Sequence, residues 1–288
     1  MNTKAICVYL DDSDKMEIEL SWLYKTWILH SLDTDFDLVV FYNPLAEKRL
    51  NTFDNIVKHA MPPIRYANEY PFLNSHYFCL QESAHKISNY EYILKTDCDV
   101  FLTHNLKRYI PSKILIGEAG YYSVPTQKIL ETIKFISEFF GFHYKYYPQV
   151  GASFFGKSNE VITITANQAL LTEKILDLFE LHGDQVINGL DKGISSMLAG
   201  EIIVNHCFVN QHIMLYALDS LCWETTEIGS NVLHIHAWHS SQKWSKHAFF
   251  RGEYEDWVVK DEERYNHAAN YCHWIATTPL EKIATYRN

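Results

Sequence analysis

The sequence predicts an α/β fold: a mostly parallel, doubly wound sheet flanked by helices, with an elaborated C-terminal half. Three observations lead there. Runs rich in β-branched and aromatic residues alternate with stretches of helical apolar spacing, the pattern of βα units joined by right-handed crossovers. The first two runs, KAICVYL and FDLVVFY, are almost unbroken apolar, as strands covered on both faces are. A third run, Tyr92, Ile93 and Leu94, stops at Asp97 and Asp99 before resuming as Val100, Phe101 and Leu102. Aspartate is disfavoured in strands and rarely fully buried without a partner. The pair therefore marks a strand end that delivers carboxylates to a cation.

Taken in order, residues 4–10 are the first strand, and DDSD behind them supplies a loop and a helix cap. Residues 15–32 carry apolar side chains at helical spacing, and FDLVVFYNP (36–44) is a second strand closed by Asn-Pro. Residues 49–61 read as a helix, 63–70 as a short extended piece, 72–87 as a helix and 91–102 as one strand. In the second half, 127–142 is helical, 149–162 a glycine-punctuated strand and turn, and 164–183 a helix. NVLHIHAWHSSQKW (231–244) is a strand running into a loop that bears His and Lys. From Lys260 onward the tail reads as polar helix wrapping the outside. With no internal repeat, low-complexity tract or linker, the 288 residues form a single domain.

The hydrophobic share of 47% supplies an ample core, and a net charge of −10 argues against binding a nucleic-acid backbone, which needs a basic face. An acidic protein that handles phosphate needs a local basic cluster or a bound metal. Cys7, Cys79, Cys98, Cys207, Cys222 and Cys272 are scattered with no C-x-x-C pair, so they read as free thiols in a reducing compartment. The N-terminal apolar run is too short for a signal peptide, and no stretch has the apolar length of a membrane span. The expectation is a soluble, cytoplasmic protein.

If the strand through Asp97 and Asp99 stays regular, both carboxylates and Lys95 share one face. Hard carboxylate oxygens suit Mn2+ or Mg2+, which such sites bind together with substrate phosphates. Asp-x-Asp also occurs as two solvated acids in a turn. The second cluster is LHIHAWHSSQKWSKH: His234 and His236 share a strand face, and His239, Lys243, Lys246 and His247 follow. Imidazole is a common metal ligand, and the lysines could neutralise phosphate oxygens. A half-buried strand followed by a solvated basic loop would look the same. No cysteine sits at zinc-module spacing. Gly151 and Gly156 bracket a small-residue segment where backbone can approach a ligand closely, or simply bulge. Asp184, Gln185, Asn188, Asp191 and Glu201 fall in one amphipathic region, in which one acid is placed near a reacting centre and most are solvated.

The ordered set of strand-ending Asp-x-Asp, GASFFG, HGDQVIN and HIHAWHSSQKW resembles the metal-dependent GT-A-fold glycosyltransferases, a Rossmann-like class. KTDCDVFLTHNL is similar to their D-x-D strand end, and GASFFGKS to the acceptor-side segment of retaining families that include the blood-group transferases. HGDQVIN is similar to a segment of blood-group and glycogenin-type enzymes. The ending resembles glycogenin's H-x-x-G-x-x-K-P-W, but the spacing differs and both Gly and Pro are missing, which leaves His236 or His234 as the ligand. DKGISSMLAGEIIVNH resembles uncharacterised proteins of algae and large algal viruses.

The resemblance, which spans roughly residues 4–246, implies transfer of a sugar from a nucleoside-diphosphate sugar to a glycan, glycoprotein or other hydroxyl acceptor, with retention somewhat favoured. Residues 1–110 would be the nucleotide-binding half, 111–259 the acceptor and catalytic half, and 260–288 a helical tail. It implies that Asp97, Asp99 and His236 (or His234) hold Mn2+ or Mg2+. Tyr9, Asp11 and Lys95 would border the nucleotide sugar, and Gly151 and Ser153 the sugars. Asp184 or Gln185 would face the anomeric carbon. Lys243 and Lys246 would grip the diphosphate as part of a lid over residues 239–247, solvated until the donor arrives, with Trp244 closing over the site. Two rivals stand beside it. A haloacid-dehalogenase-type phosphatase also uses a strand-end Asp-x-Asp, its first Asp a nucleophile. That family has the motif near the chain start, with Thr or Val where Phe101 stands and Asp where Asn188 stands. A non-catalytic carbohydrate- or nucleotide-binding module would bind without transfer or hydrolysis.

Overall fold

The computed structural model describes residues 2–287, apart from 63, 67, 81, 119–126, 146–148, 183–191, 208–216 and 238–243. Its strands are β1 (Lys4–Leu10), β2 (Phe36–Tyr42), β3 (Val57–Ala60), β4 (Tyr92–Lys95), β5 (Val100–Leu102), β6 (Leu115–Glu118), β7 (Val150–Lys157), β8 (Ser220–Leu221) and β9 (His234–His236). Six of them form a sheet in the order β3-β2-β1-β4-β7-β6, and the others a small sheet in the order β5-β9-β8. β1 pairs in parallel with both β2 and β4, β2 in parallel with β3, and β7 antiparallel with β4 and β6. The expected α/β architecture with a mostly parallel sheet is present. The order 3-2-1-4 means that the chain leaves β1 to one side and returns on the other at β4. A crevice at the carboxyl ends of β1 and β4 is where such sheets bind ligands.

The helices are α1 (Asp14–Leu29), α2 (Asn74–Tyr77), α3 (Ser83–Ile87), α4 (Gln127–Phe139), α5 (Ser158–His182), α6 (Ser195–Cys207), α7 (Lys246–Phe250), α8 (Ala268–Thr277) and α9 (Leu280–Thr285). Ser13 caps α1 by accepting from Met16 N, and Asp14 and Glu17 place negative charge in its first turn, where the helix dipole favours it. The alternation of β1 sends Ala5, Cys7 and Tyr9 into a core shared with α5 and α6, and Ile6, Val8 and Leu10 into a core shared with α1. This two-sided burial explains the unbroken apolar reading of the strand. A third core joins Trp22 of α1, Phe101 of β5, Trp244 and α8. In it Trp22 stacks on Phe101 at 5.4 Å and Trp244 meets Phe101 edge-on at 5.4 Å. Aromatic pairs of this kind contribute about 0.5–1.5 kcal/mol each beyond their buried area.

Four expectations need correction. Residues 72–87 are not one helix: α2 and α3 are single short turns, with 3-10 turns at Pro71–Leu73 and Phe78–Leu80. Residues 49–61 are not one helix: a 3-10 segment (Pro44–Thr52) is followed by β3, which pairs with β2. Asn55 adopts φ 59 between them, a left-handed conformation that ends the helical turn. Residues 91–102 are not one strand. Thr96 N makes a last bond to Cys7 O, Cys98 Sγ bonds Tyr9 O, and the chain then crosses into the small sheet. The tail does not wrap the outside, because Ala268, Tyr271, Cys272, Trp274 and Ile275 of α8 are buried in the third core. All six cysteines are free, and Cys207 alone of them is exposed. No helix among the described residues is long and apolar enough to cross a membrane.

Candidate metal centre

The break between β4 and β5 is what builds the site. Had the strand continued, Asp97 and Asp99 would lie within a ladder; instead they sit in the link that carries the chain from the large sheet to the small one. β5 pairs antiparallel with β9, Val100 opposite His236, and Ala237 N donates to Asp99 O at 2.9 Å. That register brings the His strand alongside the Asp link from about 135 residues away in sequence. One ligand atom from each of Asp97, Asp99 and His236 lies within 4.8 Å of the others. His236, not His234, is the histidine in this cluster.

Asp99 is 5% exposed and carries two cationic partners. Lys246 Nζ donates to its Oδ2 at 2.5 Å, and His236 Nε2 lies 3.2 Å from its Oδ1. Burial alone would raise its pKa, but Lys246 and then His236 outweigh that and hold the carboxyl well below the usual range. Glu19, buried on α1, lies 3.5 Å from Lys246 Nζ. Burial first, and Asp99 next, push Glu19 up to about 7 against the pull of Lys246. Lys246 is pushed up despite its burial, because Asp99 and Glu19 face it. Asp97 differs from Asp99. Its buried Oδ1 accepts no hydrogen bond among the described residues and has Lys95 Nζ at 3.6 Å, beyond hydrogen-bond range. Lys95, fully buried beneath it, spends its ammonium on Ala152 O at 2.9 Å.

A further carboxylate closes the other side of His236. Asp219 is 3% exposed, and its Oδ1 lies 3.2 Å from His236 Nδ1. Ser153 donates to it twice, from N at 3.0 Å and from Oγ at 2.6 Å. Burial raises the Asp219 pKa, but His236, followed by His234 and Ser153, brings it below the ordinary value. Between the two aspartates, His236 is pushed well above its usual range although burial opposes this. His234, fully buried and 3.8 Å from Asp219 Oδ1, is instead driven down to about 4 by burial.

Several expected roles change. Lys246 does not stay solvated, because it already points inward onto Asp99. Trp244 is no mobile cover: it is 0% exposed and packs between Trp22 and Phe101. The lid is therefore wrong from Trp244 onward, and His239 and Lys243 lie outside the described residues. Gly151 and Ser153 do not face open space for a sugar. A Cβ at Gly151, or at Gly117 on β6, would collide with Asp219 Oδ2, so the glycines and Ser153 together make the slot for that carboxylate. Tyr9 is buried, 6% exposed, in the same core as Cys7. Asp11 is half-buried at the end of β1 and accepts from Asn43 Nδ2 at 2.8 Å. Lys95 reaches the site from below. Asp184, Gln185, Asn188 and Asp191 lie outside the described residues. Glu201 serves the fold, accepting from Tyr144 OH at 2.5 Å and Gln149 N at 2.7 Å where the chain enters β7.

Asp219 and Glu19 are site residues that the sequence reading missed. Glu19 had a signal: it stands one turn before Trp22 and Leu23 on the apolar stripe of α1, a place where an unpaired acid is costly. Asp219 had one too, as an acid inside the run ALDSL.

The chain belongs to the family described as a domain of unknown function (DUF7164), whose model matches residues 1–281. No curated protein matches it.

Proposed function

We propose that this protein is a glycosyltransferase that uses a divalent cation to transfer a sugar from a nucleoside-diphosphate sugar to a hydroxyl acceptor, in the manner of the GT-A class. The observation that carries the reading is the Asp97–Asp99–His236 cluster at the carboxyl ends of β1 and β4, where the strand order reverses. The residues fit a cation. Two hard carboxylates and one imidazole converge, and the buried Asp97 Oδ1 has no hydrogen-bond donor among the described residues. The imidazole favours Mn2+ over Mg2+, because transition metals accept nitrogen more readily than Mg2+ does. Bound there, the cation would supply Lewis-acid and electrostatic stabilisation of a departing diphosphate.

The chain's own residues do the rest. Asp97, Asp99 and His236 hold the cation. Lys246, placed on Asp99 by the start of α7, is the ammonium positioned to take a phosphate oxygen once Asp99 is engaged. The Trp22, Phe101 and Trp244 core behind Asp99 keeps water away from that side and lowers the local dielectric, which strengthens each of these interactions. Asp11 at the end of β1 is the polar group that a ribose would meet. Retention of configuration is the favoured outcome, as the resemblance to the blood-group and glycogenin-type segments implies.

The test is a panel of UDP- and GDP-sugars with and without Mn2+, read first as thermal stabilisation and then as release of nucleoside diphosphate. Metal-dependent stabilisation with release supports the reading. Stabilisation without release points to a binding module, and a panel with no metal-dependent shift removes the proposal.

A further inference from the structure

We infer that Asp219 is the positioning residue of the metal centre: its carboxylate faces Nδ1 of His236 and so dedicates Nε2 to the cation held with Asp97 and Asp99. The inference rests on the metal-site reading above. His236 presents its two ring nitrogens to different carboxylates, Nε2 to Asp99 at 3.2 Å and Nδ1 to Asp219 at 3.2 Å. An ionised carboxylate only accepts, so each nitrogen presents a proton to the aspartate it faces. A cation that engages Asp97 and Asp99 would replace the proton on the Nε2 side. Nδ1 would keep its proton towards Asp219, which is not among the three cluster residues. This is the carboxylate–histidine–metal arrangement that orients and strengthens an imidazole ligand.

Asp219 is fitted to this task rather than incidentally near. Its carboxylate is held from behind by Ser153 N and Oγ, and Ser153 Oγ lies 2.8 Å from Thr96 Oγ1. Thr96 in turn is anchored to β1 through Cys7 O. One chain of hydrogen bonds therefore runs from the central strand through Thr96 and Ser153 to Asp219, whose Oδ1 in turn lies 3.2 Å from His236 Nδ1, and it begins one residue before Asp97. The slot is cut to size, since Gly117 and Gly151 leave room for Oδ2 that no larger residue would. Asp219 also adopts φ 54, a left-handed conformation that Asp tolerates better than most residues. Such backbone positions persist where the surroundings over-determine them and concentrate at functional sites.

The test is Asp219→Asn, close to isosteric. Its amide would donate to Nδ1 and move the ring proton to Nε2, reversing the roles of the two nitrogens. Calorimetric titration with Mn2+ alone should give an affinity about ten- to a hundredfold weaker than wild type. In a His236→Gln background the same substitution should add nothing, because Asp219 acts through His236. Equal weakening in both backgrounds, or an unchanged affinity in the single variant, overturns the inference while leaving the metal centre standing. Absence of Mn2+ binding by the wild-type protein overturns both. Should Asp219→Asn fail to fold, the His236 tautomer in wild-type protein loaded with diamagnetic Zn2+ decides the matter by long-range 1H–15N correlation. A proton on Nδ1 supports the inference and a proton on Nε2 overturns it.

Discussion

Replacing Lys246 by methionine separates two tasks assigned to one ammonium. Lys246 Nζ sits 2.5 Å from Asp99 Oδ2, with the two side chains 19% and 7% exposed. Unit charges ~4 Å apart at an effective dielectric near 20 attract by about 4 kcal/mol. Removing one partner of a buried pair costs roughly 3–5 kcal/mol. The metal-free variant should therefore melt well below wild type. A divalent cation, however, must take Asp99 away from Lys246, and in the variant that competition is gone. If one third to two thirds of the attraction reappears as metal affinity, Mn2+ binds Lys246→Met tighter by about 1.3–2.7 kcal/mol, roughly ten- to a hundredfold. With UDP and Mn2+ together the sign reverses, since a charge-assisted hydrogen bond to phosphate worth roughly 1.5–3 kcal/mol is lost. Calorimetry with Mn2+ alone, then with UDP at saturating Mn2+, reads both effects. Mn2+ binding that is unchanged or weaker in the variant refutes the reasoning.

Other outcomes follow from the same structure. Trp244→Ala should destabilise the protein by about 3–5 kcal/mol, as truncation of a fully buried aromatic does; a urea midpoint equal to wild type would restore the lid. Gly117→Ala should cost roughly 1–3 kcal/mol or more, because its Cβ meets Asp219, and Gly117→Ser should cost no less; a neutral effect would show that the slot is roomier than the geometry says. His30, buried against Tyr271 OH at 2.8 Å, is held down to about 3 first by burial and then by His104. The unfolded chain takes up that proton near pH 6.5 while the folded one does not. Stability is thus lost as pH falls from about 6.5 towards 3, by at most ~1.4 kcal/mol per pH unit from this group. His30→Gln should flatten the pH dependence of the urea midpoint by up to one proton, and a parallel decline in both proteins would count against it.

The sequence was most legible where one physical requirement acted alone. β1 and β2 are covered on both faces, so their apolar runs declared them. Asp97 and Asp99 interrupt such a run, and that interruption was itself the signal. His236 was legible as a ligand type, but its choice over His234 was not. The difference lies in the β5–β9 register, which sets Val100 opposite His236 and Leu102 opposite His234, and one sequence cannot reveal pairing across such a distance. The helix expected over residues 49–61 failed for a local reason, since Asn55 in the left-handed region turns the chain into β3 against a weak helical pattern. From Trp244 onward the lid failed for a tertiary reason. Lys246, next to Ser245, looks solvated until Asp99 and Glu19 are known to face it, and Trp244 looks like a cover until its pocket between Trp22 and Phe101 is seen. Gly151 and Ser153 looked like a ligand-facing segment, and they do leave space for a close approach, but the group that approaches is the chain's own Asp219.

The central claim is that Asp97, Asp99 and His236 form one divalent-cation site. Anomalous diffraction from crystals grown with Mn2+ and UDP tests it most directly. The expected result is a manganese peak within coordination distance of an oxygen of Asp97, an oxygen of Asp99 and Nε2 of His236, with Lys246 no longer on Asp99. A map with no peak between these three residues, or with manganese bound elsewhere and Lys246 still paired to Asp99, would contradict it.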